Sequence, residues 1–233
     1  MGAQGNQGAS GAQGTQGATG GYGWETYQQY FVDMSAAWKQ DYPNIQHYYI
    51  FQIWPDSCSM GHNGASDKLR DVQRLLPRLY SNMSVMSTLG IKPIGPCHYP
   101  AAGYAEMAKL IGTLVERDNY GKVFDKSITA PDLKRAYYTS AKRDEIVLEF
   151  DQPMAWADAL VSEFYLDGKK GGIVEGAVSG NVVKLKLAAT ATAKTVTYLV
   201  DKRWDPKTLL YGTNGIAALT FCEVPLEPAK PNP

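Results

Sequence analysis

The feature that most constrains this chain is a change of hydrophobic period near residue 125. Before it, apolar residues recur at three- and four-residue spacing, in stretches interrupted by two short apolar runs. After it, short segments alternate with period two between turn residues. A chain that changes period in this way must build two kinds of layer: helices on a sheet in the first part, sheet on sheet in the second.

In the first part, Tyr27, Tyr30, Phe31, Met34 and Trp38 predict an amphipathic helix that closes before Asp41-Tyr42-Pro43. Ile45 to Ile53, between Pro43 and Pro55, predicts a buried strand. Asp67 to Tyr80 predicts a second helix with Leu69, Val72, Leu75, Leu76 and Leu79 on one face; Ser66 or Asp67 can cap it, and Pro77 should kink its last turn. A strand at Met83 to Thr88 and a helix from Pro100 to Arg117 follow, the latter with Tyr104, Met107, Ala108, Ile111, Leu114 and Val115 as its apolar stripe. The order α-β-α-β-α argues for an α/β fold with a parallel sheet, whose functional groups gather at the C-terminal ends of strands. Residues 54–64 and 90–99 then carry the site.

In the second part, strands are expected at Arg135 to Thr139, Glu145 to Phe150, Ser162 to Leu166, Gly172 to Val178, Val182 to Leu187, Thr195 to Val200, Thr208 to Tyr211 and Ala217 to Val224. Short strands joined by turns such as Asp167-Gly168 and Ser179-Gly180-Asn181 suggest an all-β sandwich. The expected organisation is a leader over 1–21, an α/β domain over 22–124, the sandwich over 125–226 and a proline-rich tail over 227–233. Residues 2–19 are uninterrupted Gly-x-y triplets without proline. This is the collagen period, which reads either as a flexible leader or as a short trimerising stem.

Lysine plus arginine and aspartate plus glutamate each number 23 in the 233 residues, so the formal charge is zero and no electrostatic footprint points to nucleic acid or an anionic membrane. No run of about 18 apolar residues is present, and the N-terminus lacks the charged and apolar regions of a signal peptide. The cysteines and histidines show neither C-x-x-C nor H-E-x-x-H spacing, so neither a metal site nor a cofactor is expected.

The chemistry concentrates around His98. It stands on a loop after a predicted parallel strand and before a helix, and imidazole is the usual base for activating a hydroxyl nucleophile. Ser57 and Ser59 follow the preceding strand and could face it as nucleophiles, or their hydroxyls could satisfy loop backbone groups. His62 and Tyr99 are candidate substrate contacts. Cys58 and Cys97 each follow one of two neighbouring strands, which allows either a disulfide or two reduced thiols. Cys222, in an apolar strand, reads as a small core residue.

The stretch H-Y-P-A-A-G-Y-A-E-M-A after a cysteine, preceded by M-S-T-L-G-I and K-L-R-D-V-Q-R-L-L-P, resembles the closing block of SGNH/GDSL hydrolases. More closely, it is similar to the sialate O-acetylesterase-like carbohydrate esterases over about Trp24 to Glu116. The resemblance implies a partial three-layer α/β domain and removal of acetyl groups from an acetylated poly- or oligosaccharide, with His98 as general base. It also implies a secreted or periplasmic setting. Such enzymes carry an Asp three residues before this His, where this chain has Gly95, and a Gly-Asp-Ser nucleophile block ahead of the region, where the Gly-x-y leader stands. The nucleophile is therefore expected from a complementing N-terminal half. The segments D-E-I-V-L-E-F-D-Q-P-M, F-Y-L-D-G and V-V-K-L-K-L resemble bacterial immunoglobulin-like modules, in which Trp156, Trp204 and Tyr211 could be core or could stack on sugars. The alternative from another class is a non-catalytic carbohydrate-binding or structural surface protein, a homotrimer held by the Gly-x-y stem.

Overall fold

The computed structural model describes residues 23–55, 66–95, 98–200 and 204–229. Helix α1 (Trp24–Asp41) leads to strand β1 (Tyr48–Gln52), helix α2 (Ser66–Leu75), strand β2 (Met83–Ser87) and helix α3 (Ala101–Tyr120). β1 and β2 pair in parallel, from Tyr48 opposite Met83 to Gln52 opposite Ser87. Alternation along β1 sends Tyr48 and Ile50 into a cluster with Phe31, Leu76 and Met83, and Tyr49 and Phe51 into another with Met86, Leu114 and Leu219. Helices therefore lie on both faces of a two-stranded parallel sheet.

The helices differ from their apolar stripes in an informative way. In α2 the buried face is Ser66, Leu69, Arg70, Gln73 and Arg74, whereas Val72 is half-buried and Leu79 is exposed. The reason is what α2 packs against, namely backbone and carboxylates rather than side-chain carbon. Arg70 is fully buried and donates to Thr220 Oγ1 at 3.0 Å, Leu199 O at 2.9 Å and Ser66 Oγ at 2.9 Å. Arg74 bridges Asp71 at 2.8 Å and Asp132 at 3.0 Å. Pro77, which lacks an amide hydrogen, tightens the end of α2 into a 3-10 turn over Leu76–Arg78. In α1 only Phe31 and Ser35 are buried, and in α3 only Gly103 and Leu114. Much of the apolar surface written into these two helices stays uncovered by the described residues.

The second part forms β3 (Leu133–Tyr138), β4 (Glu145–Phe150), β5 (Met154–Ala155), β6 (Phe164–Leu166), β7 (Ile173–Ser179), β8 (Val182–Leu187), β9 (Thr195–Tyr198), β10 (Tyr211–Gly212) and β11 (Phe221–Glu227). Seven of these make one sheet in the order β6-β9-β11-β3-β4-β8-β7, antiparallel except for the β11–β3 pair, while β5 and β10 pair separately. Inward residues from both halves of the large sheet, including Ile146, Leu148 and Val183 on one side and Val196, Tyr198 and Phe221 on the other, share a single buried cluster. Gly180, at φ +60°, makes the β7–β8 turn that Asn181 steadies by donating from Nδ2 to Phe150 O at 2.9 Å.

Among the strand boundaries that depart from the alternation, three have a visible local cause. Asp158–Glu163 is a 3-10 helix, with Ser162 Oγ donating back to Ala159 O at 3.1 Å, so only Phe164–Leu166 is extended. Asp205 accepts from Lys207 N and caps a 3-10 turn over Pro206–Thr208, which leaves the two residues of β10. β11 begins at Phe221 rather than Ala217, because the amides before it are engaged elsewhere. Ala218 N donates to Leu210 O, Leu219 N to Pro131 O and Thr220 N to Gln52 Oε1.

That last contact belongs to a seam between the two parts. Gln52 also donates through Nε2 to Thr220 O at 2.9 Å, so its side-chain amide pairs with Thr220 as a backbone peptide would. Ser87 Oγ donates to Ala218 O, and Trp54 and Leu89, which follow β1 and β2, are buried within the cluster of the large sheet. Cys222 sits on the same seam: its Sγ donates to Asp67 Oδ2, and burial pushes the thiol up to about 12.

Candidate functional site

Because β1 and β2 run parallel and end side by side at Gln52 and Ser87, the segments that follow them leave the same end of the sheet. Thr88 Oγ1 donates to Gln52 O at 2.9 Å and ties the two exits together. Ser57, Cys58, Ser59, His62 and Cys97 lie outside the described residues. His98 and Tyr99 lie inside them.

The loop after β2 is anchored before it reaches His98. Ile91 N donates to Thr88 O in a tight turn, and Leu89 O accepts from Trp204 Nε1 at 3.0 Å. Tyr211 lies against Gly90, where an added Cβ would sit 3.6 Å from its ring. The loop then closes on itself: Ile94 N donates to His98 O, and Gly95 takes φ +65° between them. His98 is thus fixed through its backbone while its side chain is exposed. Among the described residues no carboxylate pairs with its imidazole, in contrast to His47, which meets Asp118 at 3.2 Å near the other end of β1.

Tyr99 turns the other way. Its ring meets Tyr104 edge-on at 6.1 Å, and its hydroxyl is buried beside Thr88. Burial holds the phenol above its ordinary pKa. One residue that the sequence reading passed over completes this corner. A Cβ on Gly103 would lie 3.0 Å from Tyr99 Cβ, 3.1 Å from Ile91 Cγ2 and 3.2 Å from Pro100 Cδ, so the missing side chain lets the first turn of α3 close on the loop. Beside this corner a cleft of about 360 Å³ opens between Ile91, Lys92, Ala102, Glu106, Ile216 and Ala217.

The three aromatic residues considered for sugar stacking do not form one platform. Trp204 and Tyr211 both support the Leu89–Gly90 step, and Lys92 Nζ stands 5.9 Å from the Trp204 ring centre. Trp156 stacks on Phe164 at 6.1 Å and covers Gly176, where there is no room for a Cβ. Among the described residues, no group of three histidine, cysteine or acidic side chains could hold a metal ion, and no helix is long and apolar enough to cross a membrane.

A crystal structure of a carbohydrate acetylesterase from Xanthomonas citri matches this chain with a TM-score of 0.67 at 17% identity. The two share a fold. The match covers 84% of this chain and 45% of that one, so the chain spans less than half the length of the esterase it resembles. No family model matches the chain, and no curated protein matches it. The fold is mixed α/β with a large, mostly-sheet core.

Proposed function

We propose that the chain is the histidine-bearing part of a carbohydrate O-acetylesterase of the SGNH type, in which His98 is the general base. The observation that carries this reading is the exposed imidazole held by a backbone-fixed loop at the C-terminal end of a parallel strand, in a fold shared with an acetylesterase. The reaction begins when a serine hydroxyl attacks the acetyl carbonyl as His98 takes its proton. His98 then returns that proton to the sugar oxygen as the ester bond breaks, and water releases acetate in a second round. The serine is Ser57, Ser59 or one supplied by a complementing segment. With Gly95 where such enzymes carry the Asp, a dyad orients the imidazole less firmly than a triad does.

The test is hydrolysis of acetylated xylan and of 4-nitrophenyl acetate. Where Ser57 or Ser59 is the nucleophile, His98→Ala is expected to lower the rate about 100-fold or more; where a complementing segment supplies it, the chain alone hydrolyses these esters weakly or not at all, and equal measurable rates in the two proteins overturn the assignment. A fluorophosphonate label mapped by mass spectrometry names the serine.

A further inference from the structure

We propose that the cleft beside the His98 corner is a subsite for a neutral pyranose, the unit next to the acetylated one, and that both parts of the chain build it. The inference rests on the proposed function only for the identity of the substrate, because the binding it states can be read without hydrolysis. The loop after β2 lines the cleft through Gly90, Ile91 and Lys92, and α3 through Ala102, Glu106 and Leu110. The second part supplies Gly215, Ile216 and Ala217. Small-molecule sites favour such junctions, and a volume of about 360 Å³ lies at the lower end of their range, room for a single ring rather than a chain.

The chemistry of the cleft fits a neutral ligand with two kinds of surface. Ile91 and Ala217 are buried and Leu110 and Ile216 half-buried, which gives an apolar floor, whereas Lys92 and Glu106 are exposed at the rim. Among the described residues Lys92 bridges no carboxylate, and Lys109 engages Oε1 of Glu106 and leaves Oε2 for a hydroxyl. A sugar ring carries C–H groups on its faces and hydroxyls around its edge. It can bury the former on the floor while its hydroxyls donate to Glu106 and accept from Lys92. An anionic ligand meets Glu106 and a cationic one meets Lys92 and Lys109, so the rim disfavours either charge.

The lining is held in shape before anything binds. Asn214 accepts from Ile216 N at 3.0 Å and donates to Thr129 O and Gln152 Oε1, each at 2.9 Å. Gly215, at φ +81°, donates to Gly212 O. The turn that joins Ile91 N to Thr88 O, with the Trp204 bond to Leu89 O, fixes the segment after β2. A preformed site loses little ordering entropy on binding. Pro100 and Gly103 also line the cleft, and Gly103 packs on Tyr99, so the subsite adjoins the segment that carries His98. A glycan with its acetyl group at His98 lays the neighbouring unit here.

The test titrates the full chain with unacetylated xylotetraose, mannotetraose and cellotetraose and follows the backbone amides by NMR. A neutral probe should give saturable shifts centred on Gly90, Lys92, Gly215 and Ile216, with β7 unmoved. Ala102→Trp places an indole in the cleft from an exposed helical position and should weaken that binding about tenfold or more. His98→Ala should bind as the unsubstituted chain does. Shifts that map elsewhere, a response to tetragalacturonate alone, or no response to any of the three neutral probes overturns the subsite, and the unsubstituted chain decides this by itself should Ala102→Trp not fold. Undiminished binding by a folded Ala102→Trp, or binding lost in His98→Ala, overturns it as well. Hydrolysis of 4-nitrophenyl acetate is read in the same samples. Binding at the cleft with equal measurable hydrolysis in His98→Ala and the unsubstituted chain counts against His98 alone. Hydrolysis that His98→Ala abolishes, without binding at the cleft, counts against the subsite alone.

Discussion

Inside the seven-stranded sheet, Tyr198 and Asn181 find their partners within a few tens of residues, whereas the end of β1 and the helix beside it reach across most of the chain. In the former, Tyr198 accepts from Leu210 N and Asn181 donates to Phe150 O, twelve and 31 residues apart. In the latter, Gln52 and Arg70 reach Thr220, 168 and 150 residues away. The difference teaches that the helical part is not an independent support for the His98 loop. Its strand ends and its most buried helix are completed by residues of the other part.

The largest test of that contrast is Arg70→Ala. Removing a fully buried guanidinium takes one donor away from each of Thr220, Leu199 and Ser66, and the expected loss is about 3–5 kcal/mol in denaturant unfolding. If the seam couples the two parts, the whole transition moves; a sheet signal that stays in place breaks the comparison. Tyr198→Phe should cost less, about 1–3 kcal/mol, because it orphans the Leu210 amide, which donates to the hydroxyl at 2.6 Å in a fully buried place. Amide exchange in α1 should barely respond to it. A slowing or loosening there would show that the helical part reads events deep in the sheet.

The smallest effect is on pH. Burial lowers the pKa of His47 below its ordinary 6.5, so the unfolded chain binds this proton first. The stability it contributes is present above that value and is lost as pH falls through the folded pKa. Asp118, held below its usual range by the Arg117 hydrogen bond, adds a further loss in the same direction at lower pH. Thermal midpoints should fall between about pH 7 and pH 5, and His47→Gln should flatten the fall. A midpoint that rises on acidification would contradict the assignment.

Element types were legible in the sequence wherever one period held over a whole segment. The strands Glu145–Phe150 and Val182–Leu187 emerge with the bounds that alternation assigns them. The buried face of α2 was not legible, because a helix that packs on carbonyl oxygens selects arginine and glutamine where periodicity looks for leucine. Nor was the late start of β11, which depends on Leu210, Pro131 and Gln52 claiming the preceding amides. The position of His98 could be read from strand order alone. Its supports could not, since Trp204 and Tyr211 come from more than 100 residues downstream and carry no local mark.

The pairing of Gln52 with Thr220 also sets a timetable for synthesis. The partner lies 168 residues downstream, so at ribosomal speeds of roughly 5–20 residues per second the helical part waits on the order of ten seconds or more after it is made. During that interval Trp54 and Leu89 have no sheet to enter, and the uncharged strand Tyr48–Gln52 is available to any passing extended chain. Those residues therefore stay exposed until Thr220 emerges, and slowing synthesis ahead of Thr220 is expected to lower the soluble yield more than it lowers the stability of the finished fold.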